Sequence, residues 1–289
     1  MAMIINDNTH SMSALTYYTR NTDNMQKSMS HIVSGMKIGH AGEDPSNWAV
    51  SEHMRDRIRA TDQANQNVQN DTSLLKAADG AISNTVEIIQ ALKARAINSA
   101  NDTNDDDGRA ALQREAELLL AQIDNNARGT TFNGKRLLDG SQASEGLTFH
   151  IGGEANFSVN IKLENMTASA LGINGLDLST RDGALNALAE PVNSDGTTSP
   201  SMLDKALNKA LVMQASIGAM EEMLGYTGEN LTDYSENMQA AESSIMSADM
   251  AKEMTTYVKW SILAQASEYI IAQQNQNAAS VLDLLAPVQ

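Results

Sequence analysis

Gly129-Thr130-Thr131-Phe132-Asn133-Gly134-Lys135 has the glycine and lysine spacing of a loop that wraps a phosphate in backbone amides. The next residue is Arg136, where a bound Mg²⁺ requires a hydroxyl, and no strand pattern precedes the first glycine. The segment therefore predicts a tight turn. Asp102 to Asp107 has the acidity of a calcium loop. Counted from Asp102, however, the sixth and twelfth places hold Asp107 and Gln113, where such a loop needs Gly and Glu. A solvated acidic turn is expected. His10, His31, His40, His53 and His150 form no His pair at i,i+4 and no HExxH, so no metal site is expected. Gly-x-Ser-x-Gly is missing, and the chain has no cysteine. The expectation is a protein without catalysis, cofactor or metal.

Composition points the same way. The 289 residues carry 36 acidic and 20 basic side chains, a formal net charge of −16 that argues against binding nucleic acid. The absence of cysteine excludes a disulfide scaffold and any thiolate chemistry. No apolar run reaches the ~20 residues that span a bilayer. The first residues, Met1 to Asn8, lack the basic and apolar regions of a secretory signal peptide. The charge is uneven: Arg20, Lys27 and Lys37 face Asp7 and Asp23 in 1–42, and 249–289 is also nearly neutral. Almost all of the negative charge lies between them.

The elements that place these residues announce themselves by heptad spacing. Leu15, Tyr18, Thr22, Met25, Met29, Ile32 and Met36 recur at steps of 3 and 4, the seam of a helix packed lengthwise on a partner. Ser34 to Gly39 reads as a break. Asp44-Pro45 then supplies an N-cap and a proline in the first turn. A strict seven-residue step follows: Met54, Thr61, Val68, Leu75, Ile82, Ile89 and Ala96, in one long helix over 44–101. Leu112, Ala116, Leu119 and Ile123 predict a shorter helix folded back along it and stopped at Gly129. Leu147, Phe149 and Ile151 alternate with polar residues, as do Phe157, Val159, Ile161 and Leu163, which predicts a β-hairpin. Residues 174–201 read as loop, with a helical piece around Ala184–Ala189. A last helical block carries Leu203, Ala206, Ala210, Met213, Ile217, Met220, Leu224, Thr227, Leu231, Tyr234, Met238, Ala241, Ile245 and Ala248 on the same 3-4 pattern. Methionines at these sites are expected to fill core positions. Beyond 250, Ile262, Leu263, Ile270, Ile271, Val281, Leu282, Leu284 and Leu285 cover more than one helix face and call for several neighbours.

The fold class is therefore mainly α. Both chain ends form a long coiled-coil-like helix bundle, and a small β-hairpin and loop insert interrupts it. Three parts are expected: 1–42 with 249–289, 43–142 with 202–248, and the insert 143–201.

The two ends together resemble bacterial flagellin. The matching text runs Ile5-Asn6-x-Asn8, Val33-Ser34-Gly35-Met36-Lys37-Ile38, Ala41-Gly42-Glu43-Asp44, Gln63-Ala64-Asn65-Gln66-Asn67, Asp71-Thr72-Ser73-Leu74-Leu75, Ala77-Ala78-Asp79-Gly80-Ala81, Phe132-Asn133-Gly134 and Leu137-Leu138. At the other end it runs Asn237 to Ser243, Ala248-Asp249-Met250-Ala251, Ile262-Leu263-Ala264-Gln265, Ala272-Gln273-Gln274-Asn275 and Val281 to Leu285. The resemblance implies a structural subunit that polymerises into the flagellar filament, with the terminal helices as an inner tube and the middle facing outward. It implies secretion through that tube by a type III-like apparatus to the extracellular flagellum. It also implies a cytoplasmic chaperone on the C-terminal helices, and contacts with cap and hook-associated proteins. On this reading Leu15, Met25, Met29, Ile32, Met36, Ile262, Leu263, Ile270, Ile271, Val281, Leu284 and Leu285 pack the filament core. Val68, Leu75, Ile82, Ile89, Met213, Ile217, Met220, Leu224 and Leu231 pack the long helices.

The sequence departs from the family pattern in four places. Asp44-Pro45-Ser46-Asn47-Trp48 stands where small residues are usual. An arginine is missing near 246, and the chain ends Ala286-Pro287-Val288-Gln289 rather than in a basic residue. The helix patch that many flagellins show to the Toll-like flagellin receptor is degenerate, with Ala91 and Arg95 where Arg and Leu are usual. The same terminal helices suit a hook–filament junction protein, and heptads alone suit a cytoplasmic coiled-coil scaffold.

Overall fold

Heptad stretches without interior proline fold as helices here, and prolines, glycines and caps end them. The structure, a computed structural model, describes residues 9–154, 156–189 and 200–285, leaving aside the side chains of His10 and 281–285. Among these residues the order is α1 (Thr9–Ser34), α2 (Pro45–Ser99), α3 (Asp106–Gly129), β1 (Thr131–Phe132), β2 (Lys135–Arg136), β3 (Leu147–His150), β4 (Ser158–Ile161), α4 (Ala168–Leu171), α5 (Arg181–Leu188), α6 (Met202–Met246) and α7 (Met250–Leu285). Asp44 caps α2 as expected, its carboxylate accepting from the Asn47 amide at 3.1 Å. The acidic turn ends in a cap as well, the Asp105 carboxylate accepting from the Gly108 amide at 2.8 Å. Asp102 meets Arg181 at 3.1 Å. The phosphate-loop look-alike is a two-residue hairpin turn. Asn133 and Gly134 take φ of 48° and 78° between β1 and β2, the geometry that Asn-Gly favours.

The chain divides into two compact units, residues 1–58 with 236–289, and residues 59–235. The unit 59–235 holds one continuous core. On α2, Val68, Leu75, Ile82, Ile89 and Ala96 are all buried. Leu203, Ala206, Ala210, Met213, Ile217 and Leu224 of α6 join them, while Met220 and Leu231 pack half-buried against the cluster. Ala116, Leu120, Ile123 and Ala127 of α3 close it. Each fully buried Leu or Ile contributes about 1.5–3 kcal/mol through apolar burial. Polar contacts tie the helices together at its edges. Asn126 Nδ2 donates to the Ala81 carbonyl at 2.7 Å, Lys93 meets Asp204 at 2.5 Å, and Arg95 meets Glu115 at 2.7 Å.

The β-hairpin pairs Leu147 with Ile161 and Phe149 with Val159 in antiparallel register. Leu147, Phe149 and Ile161 are buried. Phe157 breaks the expected alternation and is 58% exposed. It sits past the strand end, where its carbonyl accepts from the Ile151 amide. A Cβ at Gly152 would collide with the Phe157 side chain. The expected loop over 174–201 is only partly a surface loop. Leu176 and Leu178 are buried. Their backbone is satisfied from elsewhere: the Leu178 amide donates to Gln113 Oε1 at 2.6 Å, and the Leu178 carbonyl accepts from Ser99 Oγ at 2.7 Å. Apolar residues can be buried in irregular backbone only when side chains satisfy its amides and carbonyls in this way. Most of the stretch from Ala189 to Pro200, including Pro191, lies outside the described residues.

Candidate assembly surface

In the unit of residues 1–58 and 236–289, α1 packs lengthwise on α7. The seam is not the apolar one that the spacing predicts. Ala14, Asn21, Ser28 and His31 are buried on α1, and Tyr18, Met25 and Ile32 are half-buried. Ala264 and Ser267 are buried on α7, with Ile271 half-buried. Small side chains let two helix backbones approach closely. Asn21 Nδ2 donates to Ser267 Oγ at 3.2 Å across this buried seam.

This choice leaves apolar residues over. Leu15 and Met29, on the same 3-4 spacing, are 55% and 47% exposed. At 100° per residue they lie beside the seam, so the apolar stripe of α1 is wider than α7 covers. On α7, Met254, Val258, Ile262, Leu263 and Ile270 are exposed. Met36 is half-buried. The side chains of Val281, Leu284 and Leu285 lie outside the described residues. Between α1 and α7 an open groove of 480 Å³ is lined by Ala14, Tyr17, Asn21, Leu263, Ile270 and Gln274, among others.

The joints next to this pair are tied by polar groups. The Lys37 amide donates to the Met246 carbonyl at 2.6 Å, and the Ala248 amide to the Gly35 carbonyl at 2.9 Å. Gly35 has φ of 70°, which its lack of a side chain permits. Glu43 is the hub of the α1–α2 loop. It accepts from the Gly39 amide at 2.8 Å, and it meets His31 Nε2 at 3.1 Å and Lys27 at 3.2 Å. Burial opposes its ionisation, but the Gly39 amide, His31 and Lys27 outweigh that and hold the carboxyl at about 2. The other imidazole nitrogen of His31 lies 3.6 Å from Glu253 of α7.

In the other unit, Ala91 is half-buried and Arg95 is held by Glu115. Spacing alone missed Asn21, Ser28, His31 and Ser267, because polar residues in a seam do not register as an apolar stripe. The available signal was the seven-residue step of Ala14, Asn21 and Ser28.

The two units differ in how much apolar surface they bury. Among the described residues, the unit 1–58 with 236–289 buries four apolar side chains (Ala14, Ile38, Met246 and Ala264) and exposes thirteen large ones. A protein region that ends with its apolar residues outside has an interface to fill.

Comparison with known proteins agrees with the terminal pattern. The family model of the bacterial flagellin N-terminal helical region matches residues 5–143, and that of the bacterial flagellin C-terminal helical region matches 201–285. The chain is 34% identical to a flagellin of Bacillus subtilis, covering 98% of this chain and 100% of that protein. It is 35% identical to the flagellar filament 30.7 kDa core protein of Treponema maltophilum, again over 98% and 100%. Among solved structures, a putative flagellar hook-associated protein from Vibrio parahaemolyticus matches with a TM-score of 0.53 at 14% identity. It covers 71% of this chain and 100% of that one, a likeness of fold alone.

Proposed function

The chain belongs to the bacterial flagellin family, and on that premise we propose that its terminal segments, 1–42 and 249–289, pack the inner layer of a filament. It is a structural subunit that polymerises into the bacterial flagellar filament for swimming motility. The long helices, 43–142 with 202–248, surround that layer, and the insert 143–201 faces outward. The observation that carries this reading is the terminal unit with thirteen exposed large apolar side chains and four buried ones. Such a surface gains stability from further copies of itself. Identical subunits that meet head to tail without closing a ring form open helical polymers.

Leu15, Met25, Met29, Ile32, Met36, Ile262, Leu263, Ile270, Ile271, Val281, Leu284 and Leu285 are the residues assigned to that inner packing. The reading includes no catalysis. It includes secretion to the extracellular flagellum, an export chaperone on the C-terminal helices, and cap and hook-associated proteins as end partners. No described helix is long and apolar enough to cross a membrane. With Ala91 and Arg95 in the receptor patch, the monomer activates the Toll-like flagellin receptor weakly. Signalling as strong as that of a typical enteric flagellin contradicts this.

The test is reassembly. Purified chain, dissociated by mild acid or heat, is expected to form tubes visible by electron microscopy. Removing 1–40 or 250–289 is expected to abolish tubes and leave a soluble helical protein. Filaments from the doubly truncated chain overturn the reading.

A further inference from the structure

The α1–α7 seam poses a register problem. Ala14, Ser28 and Ala264 are small, and small side chains pack almost equally well when one helix slides along the other. The Lys37–Met246 and Ala248–Gly35 backbone bonds anchor one end of the pair; along the seam itself, a slide is opposed by the polar groups it would leave buried and unsatisfied. Asn21 is 9% exposed and Ser267 7% exposed. The Ser267 hydroxyl spends its single proton on the Leu263 carbonyl at 2.8 Å, so its oxygen is left to accept. Asn21 Nδ2 supplies that bond at 3.2 Å. A slide by one turn places Asn21 level with Ala264 or Ile271, neither of which can accept from it. A slide by a full heptad brings Trp260 against Asn21 in one direction and against His31 in the other.

We propose that the Asn21–Ser267 hydrogen bond is the side-chain contact that sets register along the α1–α7 seam. Asn21 is thereby a positioning residue that fixes which apolar residues of the two helices are presented together to other copies. A buried polar residue in a helix seam can specify register at some cost in stability. The consequence for assembly rests on the filament reading. One turn of slide displaces the free edge of α1, with Leu15 and Met29, by about 5.4 Å against Ile262 and Ile270. Subunits in mixed registers offer mismatched surfaces and cannot repeat one helical contact.

The cysteine-free chain allows a direct test. In the observed register Ala14 lies level with Gln274; one turn of slide brings it level with Ala278. The full-length chain carrying Ala14→Cys with Gln274→Cys, or Ala14→Cys with Ala278→Cys, is oxidised both as free chain and after assembly, and disulfide yield is measured. The first pair is expected to exceed the second by about tenfold, the discrimination that one unsatisfied buried amide supplies. Adding Asn21→Leu is expected to bring the two yields within about threefold while leaving the thermal midpoint unchanged or raised, since a buried amide becomes apolar. The exchanged pair Asn21→Ser with Ser267→Asn is expected to restore the preference. The proposal is overturned if Asn21→Leu keeps the full preference, if the exchanged pair does not restore it, or if the parent chain shows none. Because the yields are read with or without tubes, failure of the filament reading leaves this result interpretable.

Discussion

Two carboxylates with opposite settings give the residue scale its clearest consequences. Glu43 is held at about 2 against an ordinary 4.5. Its contribution is full above pH 4.5 and is lost as pH falls from there through about 2. Glu43→Gln is expected to cost about 1–2 kcal/mol at pH 7 and to flatten the acid limb of a urea-midpoint profile in that window. An unchanged profile sinks the assignment of Glu43 as hub. Asp71 behaves in reverse. Burial lifts its carboxyl from 3.8 to about 6, and its Oδ2 has no hydrogen-bond partner. The native state therefore holds the proton more tightly, and stability falls as pH rises from 3.8 through about 6. Asp71→Asn is expected to raise the urea midpoint at pH 7 and leave it unchanged near pH 3. Both settings escaped the sequence, because they depend on which groups the fold brings around each carboxylate.

Helices with the same spacing differ in what holds them. α2, α3 and α6 rest on a shared core, and an Ile82→Ala change there is expected to cost about 2–5 kcal/mol in thermal unfolding. Ile262 of α7 is 59% exposed. Ile262→Ala is expected to leave the stability of the free chain within about 0.5 kcal/mol and to slow tube formation. Equal losses in both assays contradict an assembly role for that face. The α3 cap is a smaller term: Asp105→Ala is expected to cost about 1 kcal/mol, read from the same melts. At this scale the α2 and α6 stripes were legible because each has a single apolar edge. The α1 stripe was legible as a stripe but not as an interface, because it has two usable edges.

Charge sets the behaviour of the whole molecule. With a formal net charge of −16 and nearly neutral ends, the like-charged middles of two copies repel. Screening shortens the repulsion to about 8 Å at physiological ionic strength. Tube formation is therefore expected to accelerate between about 0.01 and 0.15 M salt, followed by light scattering. A rate that falls with salt implies charge attraction at the contacts and contradicts the apolar one.

The sequence by itself determined the helical rods and their breaks, the Asn133-Gly134 turn, the absence of thiol chemistry and the surplus of apolar residues after 250. These follow from backbone rules and periodicity, which act over a few residues. Tertiary structure decided which edge of α1 meets α7, why Asn21 and Ser267 are buried, and how Leu176 and Leu178 enter the core from a loop. The edge was decided by the volume and hydrogen-bonding capacity of partners some 240 residues away in the chain, which no local spacing records.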